Sequence, residues 1–198
     1  TDQSFTHSTI IAENEEVSEP AWSPDSEQIA WVCPNHNEDG NGWTLCFSDV
    51  TGSTVSREEE LFIENFAFHP SWSPDGTKIA LLITPKSESY EDYVTKLIIY
   101  DLDTKNTTEI SHTDSSHIID FVWSSTSNEI IYALDDDIEQ DIFAVNIDGS
   151  GRKRLTYNHQ RIDKLAIDNG KLLVLSWDQL VSMEENGGKV MKININDY

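Results

Sequence analysis

The segment Ala21-Trp22-Ser23-Pro24-Asp25-Ser26-Glu27-Gln28-Ile29-Ala30-Trp31 returns, nearly intact, as Ser71-Trp72-Ser73-Pro74-Asp75-Gly76-Thr77-Lys78-Ile79-Ala80-Leu81. A third copy, Val122-Trp123-Ser124-Ser125-Thr126-Ser127-Asn128-Glu129-Ile130-Ile131-Tyr132, keeps the Trp and the apolar strand but loses the Pro. A fourth is eroded, and Leu165-Ala166-Ile167-Asp168-Asn169-Gly170-Lys171-Leu172-Leu173-Val174 aligns with one residue deleted and Ala166 in the Trp position. The resulting periods of 50, 51 and 43 residues match the length of a four-stranded propeller blade and restrict the chain to a repeat architecture.

Each copy reads as the same piece of local structure. An apolar strand ends in Trp and enters a Ser-Pro-Asp-Gly turn, where Pro presets φ and Asp or Gly tolerates the remaining turn positions. A second strand follows, with large or β-branched residues on both faces, as a strand buried between neighbouring sheets requires. Third strands are expected at Leu45–Asp49, Leu97–Asp101, Ile142–Asn146 and Val190–Asn194. Ile147-Asp148-Gly149-Ser150-Gly151 then supplies hairpin residues, and a more polar outer strand such as Arg152–Thr156 completes the unit.

The pattern resembles the TolB-like propeller repeats, the WD-like family of the periplasmic protein TolB and of the propeller domains of several peptidases. That resemblance extends over nearly the whole chain, strongly in three repeats and weakly in the fourth. The expected fold is therefore all-β, a small β-propeller of four blades, each of four antiparallel strands, in one domain spanning residues 1–198. Blades are expected at 17–64, 65–116, 117–160 and 161–198. The fourth repeat lacks an outer strand on this reading, whereas His7-Ser8-Thr9-Ile10-Ile11-Ala12-Glu13 is an orphan that resembles one. Residues 1–16 are thus expected to complete the last blade, either of their own chain or of a neighbour, unless the chain is a fragment of a longer propeller. The second arrangement would build a homopolymer through the N-terminal strand.

Charge narrows the partners. Thirteen Lys and Arg against 36 Asp and Glu give a formal net charge of -23, which repels nucleic-acid phosphates and suits a basic partner, divalent cations or a salty surrounding. No apolar run is long enough to cross a membrane as a helix. Thr1-Asp2-Gln3-Ser4 carries neither Met nor an apolar signal stretch, so the chain reads as processed or excised.

Cys33 and Cys46, the only cysteines, flank one hairpin loop of the first repeat. Cross-strand positions there bring Cβ atoms within disulfide reach, and two assignments stand: a disulfide, which an exported protein favours, or two buried thiols. The loop between them places Asn35, Asn37 and Asp39 at alternating positions before Gly40. This echoes the start of a calcium loop, although Cys46 stands where a bidentate Glu would close it; the alternative is a polar hairpin loop. Asp135-Asp136-Asp137 and Glu58-Glu59-Glu60 read as solvated acidic runs or cation contacts.

Catalytic spacing is absent from the sequence. His7, His36, His69, His112, His117 and His159 form no HExxH pattern, and neither a GxSxG elbow nor a phosphate-cradling glycine loop occurs. Trp43 and Trp177 lie outside the repeat register and read as packing or loop-rim residues. The expected function is a non-enzymatic protein-interaction or assembly module without cofactor, as the resemblance also implies, in an extracytoplasmic location: periplasmic, secreted or at the cell surface. The alternatives are a subunit of an extracellular filament built by strand exchange, and an accessory propeller of a larger hydrolase.

Overall fold

The computed structural model describes residues 19–35, 42–58, 61, 63, 66–84, 95–110, 117–135, 139–157, 161–177 and 179–193. Among the described residues, sixteen strands form four antiparallel four-stranded sheets, each a meander in sequence order. Sheet 1 contains β1 (Ala21–Trp22), β2 (Gln28–Pro34), β3 (Trp43–Asp49) and β4 (Val55–Arg57); sheet 2 contains β5 (Phe66–Trp72), β6 (Lys78–Thr84), β7 (Lys96–Asp101) and β8 (Thr107–Ile110). Sheet 3 contains β9 (His117–Trp123), β10 (Glu129–Asp135), β11 (Gln140–Asn146) and β12 (Lys153–Arg154); sheet 4 contains β13 (Lys164–Asp168), β14 (Lys171–Ser176), β15 (Gln179–Glu184) and β16 (Met191–Ile193). The fold is the expected four-blade propeller arrangement, with β1, β5, β9 and β13 innermost and meeting one another in succession.

The repeated turn is locked by its serine. Ser23, Ser73 and Ser124 are buried, and each Oγ accepts the N–H that opens the next strand, from Gln28 at 2.9 Å, Lys78 at 3.0 Å and Glu129 at 3.1 Å. Ser23 and Ser73 in turn donate to Asp25 and Asp75, both at 2.6 Å. A residue in the left-handed region closes each turn, at Ser26, Gly76 and Ser127.

The repeated Trp ties one blade to the blade before it. Trp72 donates its indole N–H to the Ala21 carbonyl at 3.2 Å, and Trp123 donates to the Ser71 carbonyl at 3.0 Å. Apolar cores fill the gaps between sheets 1 and 2 (Val32, Leu45, Ile79, Leu81), 2 and 3 (Leu82, Leu97, Phe121, Tyr132), and 3 and 4 (Ile131, Ile142, Leu172, Met183). β6 and β10 are buried on both faces, which explains their unbroken apolar runs.

Sheet 4 corrects the sequence reading twice. Its first hairpin is a two-residue Asn169-Gly170 loop with both φ positive, the geometry of a type I′ turn. The turn is therefore two residues shorter than Ser-Pro-Asp-Gly, and the register places Ile167 opposite Leu172, as Trp72 is opposite Ile79. Ile167, not Ala166, occupies the Trp position. The third strand is Gln179–Glu184, and the segment around Val190–Asn194 supplies the outer strand instead, through Met191–Ile193. A tight turn at Glu184–Gly188, with Gly187 at φ 90°, makes room for it. The outer place expected to be vacant is thus filled by the sheet's own chain, and the N-terminal segment 1–16 lies outside the described residues.

Cys33 and Cys46 form a disulfide, with Cα atoms 5.9 Å apart. They are diagonal rather than opposite, since Cys33 faces Thr44 and Cys46 faces Trp31. Closing a loop of this length removes about 3 kcal/mol of unfolded-state entropy. Replacing both cysteines by Ala is expected to lower the unfolding free energy by about that amount in urea titrations, with reductant having no further effect on the variant. A variant as stable as the oxidised wild type would refute it.

Candidate functional site at the propeller axis

Three residues before the Trp position, each innermost segment carries a charged or titratable side chain: Glu19, His69, Asp120 and Lys164. Two β-bulges shape this ring. In β5 the ladder shifts between Phe68 and Ser71, where His69 takes φ 57° and Pro70 has no N–H to offer the ladder. In β9 it shifts between Ala133 and Leu134, leaving Ile119 as the extra residue beside Asp120.

The four side chains meet. His69 Nδ1 lies 2.8 Å from Glu19 Oε2, and Nε2 lies 3.1 Å from Asp120 Oδ1. Lys164 Nζ is 3.3 Å from the same Asp120 oxygen, while the Leu165 N–H donates to Asp120 Oδ2 at 2.6 Å. Phe121 meets the imidazole edge-on at 5.5 Å. Exposure rises from 3% for the Asp120 side chain to 24% for His69, 54% for Lys164 and 76% for Glu19, so the network runs from the interior to the surface.

Its electrostatics follow from those contacts. The Asp120 hydrogen bond raises the His69 pKa above its ordinary 6.5 against the opposing effect of burial, with Glu19 adding to the rise and Lys164 opposing it. When His69 is protonated, both ring nitrogens donate to the flanking carboxylates. Burial alone would raise Asp120, but His69, the Leu165 N–H and Lys164 together hold it below the ordinary carboxylate value. Phe66, Phe68, Leu82 and Ile119 join the four charged groups around a cavity of about 480 Å³.

Chemically, this is a compensated charge network lining a half-apolar cleft, able to offer charge of either sign to a ligand. Among the described residues, no hydroxyl or thiol is hydrogen-bonded to His69 in a nucleophile arrangement.

Residues singled out from sequence lie elsewhere. Asn35 follows β2 and donates its N–H to the Gly42 carbonyl, whereas Asn37 and Asp39 lie outside the described residues, among which no cluster of three or more His, Cys, Asp or Glu could hold a metal. Glu58 pairs with Lys105 at 2.6 Å, and Asp135 accepts from Gln140 at 2.7 Å; the remaining members of both acidic runs lie outside the description. Trp43 packs edge-on against Phe66 at 5.1 Å, and Trp177 is 80% exposed beneath the Arg161 guanidinium at 5.2 Å.

The axial network itself escaped the sequence reading, although the repeat contained the signal. Its four members share one offset from the Trp position, but Lys164 falls into line only when Ile167 replaces Ala166 in the alignment.

No family model matches the chain. Over 164 residues, or 79% of the chain and 23% of the relative, it is 23% identical to dipeptidyl-peptidase 5 of Porphyromonas gingivalis. Over 76 residues, or 38% of the chain and 16% of the relative, it is 33% identical to the Tol-Pal system protein TolB of Alcanivorax borkumensis. The crystal structure of TolB from Acinetobacter baumannii superposes with a TM-score of 0.61 at 19% identity, covering 91% of this chain and 44% of that one. The fold is that of TolB-like propellers. The chain spans less than a quarter of either curated relative and under half of that TolB structure.

Breaking the axial pair is expected to be costly, because Lys164 and the Leu165 N–H lose their carboxylate and His69 keeps only Glu19. Asp120→Asn should lose about 1.5–3 kcal/mol near pH 5.5. The raised His69 pKa stabilises fully below 6.5 and that contribution fades as pH climbs through the folded value; the lowered Asp120 pKa stabilises above 3.8 and fades as pH falls. The wild-type advantage over Asp120→Asn in urea titrations should therefore be greatest between those two values. An advantage that keeps growing above neutral pH would contradict this assignment.

Proposed function

We propose that this chain is a non-enzymatic, extracytoplasmic protein-interaction module whose axial mouth receives a segment of a polypeptide partner. The observation that carries the reading is the axial cavity, where the innermost segments bring an exposed carboxylate, Glu19, alongside the aromatic side chains Phe66 and Phe68. Preformed apolar clefts with a few convergent polar groups are the usual form of a binding site. The net charge of -23 steers basic segments toward such a mouth, and Phe66, 56% exposed, offers an aromatic face for a cationic side chain. The disulfide suits an oxidising compartment, and the likeness to TolB supports both the interaction role and the location.

A second reading is favoured by the alignment with dipeptidyl-peptidase 5, which takes in 79% of this chain. On that reading the blades are the accessory propeller of a larger hydrolase. A filament built through residues 1–16 has no support among the described residues.

The test is a peptide array probed with the purified protein, followed by titration calorimetry on the selected sequences. Basic peptides are expected to bind with affinity that falls as salt rises, and Glu19→Ala combined with Phe66→Ala should weaken binding at least about tenfold, the equivalent of roughly 1.4 kcal/mol. Failure of the array to select any sequence, or binding indifferent to the double substitution, would overturn the proposal. Turnover of peptide substrates by the chain itself would overturn its non-enzymatic part.

A further inference from the structure

A basic segment engages Glu19 and the phenyl rings of the axial cavity, and the same cavity also presents a cation. Lys164 reaches it from β13 with 54% of its side chain exposed. Its ammonium carries three N–H donors. Among the described residues its polar neighbours are Asp120 Oδ1 at 3.3 Å and His69 Nε2 at 3.5 Å. The first is already shared with His69, and the second lies at the limit of hydrogen-bond reach. Lys164 therefore retains donors for an acceptor that enters the cavity.

Glu19 and Lys164 flank opposite edges of one imidazole. His69 Nδ1 lies 2.8 Å from Glu19 Oε2, and Nε2 faces Lys164, so little more than the ring itself separates an exposed carboxylate from an exposed ammonium. The rest of the lining is largely apolar: Phe66 is 56% exposed, Phe68 and Ile119 are half-buried, and Leu82 is buried. Asp120, its side chain 3% exposed and held by His69, Lys164 and the Leu165 N–H, presents little charge to an incoming group. The volume of about 480 Å³ falls in the range of preformed ligand pockets.

What fits is a single residue with a cation at one end, a carboxylate at the other and methylenes between. A C-terminal Lys or Arg is such a residue. Its side-chain cation meets Glu19 beside the face of Phe66, its stem covers the apolar lining, and its α-carboxylate accepts from Lys164. An internal Lys or Arg leaves Lys164 without that acceptor. An N-terminal Asp or Glu carries both charges, but its short stem leaves the phenyl rings uncovered.

We infer, on the reading that the axial mouth receives a polypeptide, that the partner enters by its C-terminus and that its terminal residue is Lys or Arg. Glu19 and Lys164 read the two charges of that residue, and neither alone specifies it. The protein thereby distinguishes a chain end from the basic segments that its net charge of -23 attracts along any chain.

The experiment is titration calorimetry with short N-acetylated peptides that contain Lys and end in Arg, each as the free acid and as the C-terminal amide. The amide carries the greater positive charge, so steering by the acidic surface alone makes it the tighter ligand. Recognition of the C-terminus predicts the reverse, with the free acid at least about tenfold tighter. Lys164→Gln, its fold checked by circular dichroism, should remove that preference, and Lys164→Arg should keep it. Should Lys164→Gln not fold, the wild-type comparison decides. Wild-type protein that binds the amide as tightly as the acid, or a folded Lys164→Gln that still prefers the acid, would overturn the inference and leave the basic-segment reading intact. Protein that binds neither peptide would overturn both.

Discussion

Sheets 2 and 3 each take their position from the blade before them through a single indole N–H. The hydrogen bonds from Trp72 to Ala21 and from Trp123 to Ser71 fix the spacing of neighbouring innermost strands, and the ring of Trp123, 3% exposed, fills the gap between their sheets. Truncating a side chain of that size in such a place costs about 3–5 kcal/mol. The buried serines of the adjoining turns lock the strand that follows, so anchor and turn act as one unit. Sheet 4 lacks the anchor, and there Ile167 supplies apolar contact without the bond. A direct substitute comes from the axis instead, where the Leu165 N–H donates to Asp120 of sheet 3.

That substitution links architecture to site. Because the innermost strands stand in fixed relation, any residue at a constant offset from the anchor is carried to the same height near the axis. Nature of the side chain then decides what the axis is: here acid, imidazole, acid and ammonium in chain order. Buried Asp120 is tolerated because His69, Lys164 and a backbone N–H compensate it, and the bulges aim the strands so that these groups meet. Stability and a polar cavity mouth arise from the same contacts.

Much of the fold was legible in the sequence because Trp, Ser, Pro, Asp and the following apolar strand recur with little change in three blades. The third strands of those blades could be read from alternation, and loop position put the two cysteines on one hairpin while leaving open whether they were bonded. Sheet 4 was misread where the repeat lost its markers: a two-residue Asn169-Gly170 hairpin shifted the register, and the short connection after Ser176 hid β15. The axial site was illegible for a related reason. Its members have no shared chemistry to betray them, only a shared offset, and one misplaced residue in the fourth repeat was enough to conceal it.

The most direct test of this account is the titration of His69 followed by NMR of its imidazole, in the wild type and in Asp120→Asn. Convergence of one repeat position on the axis predicts a wild-type pKa above the ordinary 6.5 that falls in the variant as the main hydrogen bond is weakened. A His69 that titrates at or below that ordinary value in the wild type, or whose titration ignores the substitution, would contradict the claim that the four blades deliver these groups to a common site.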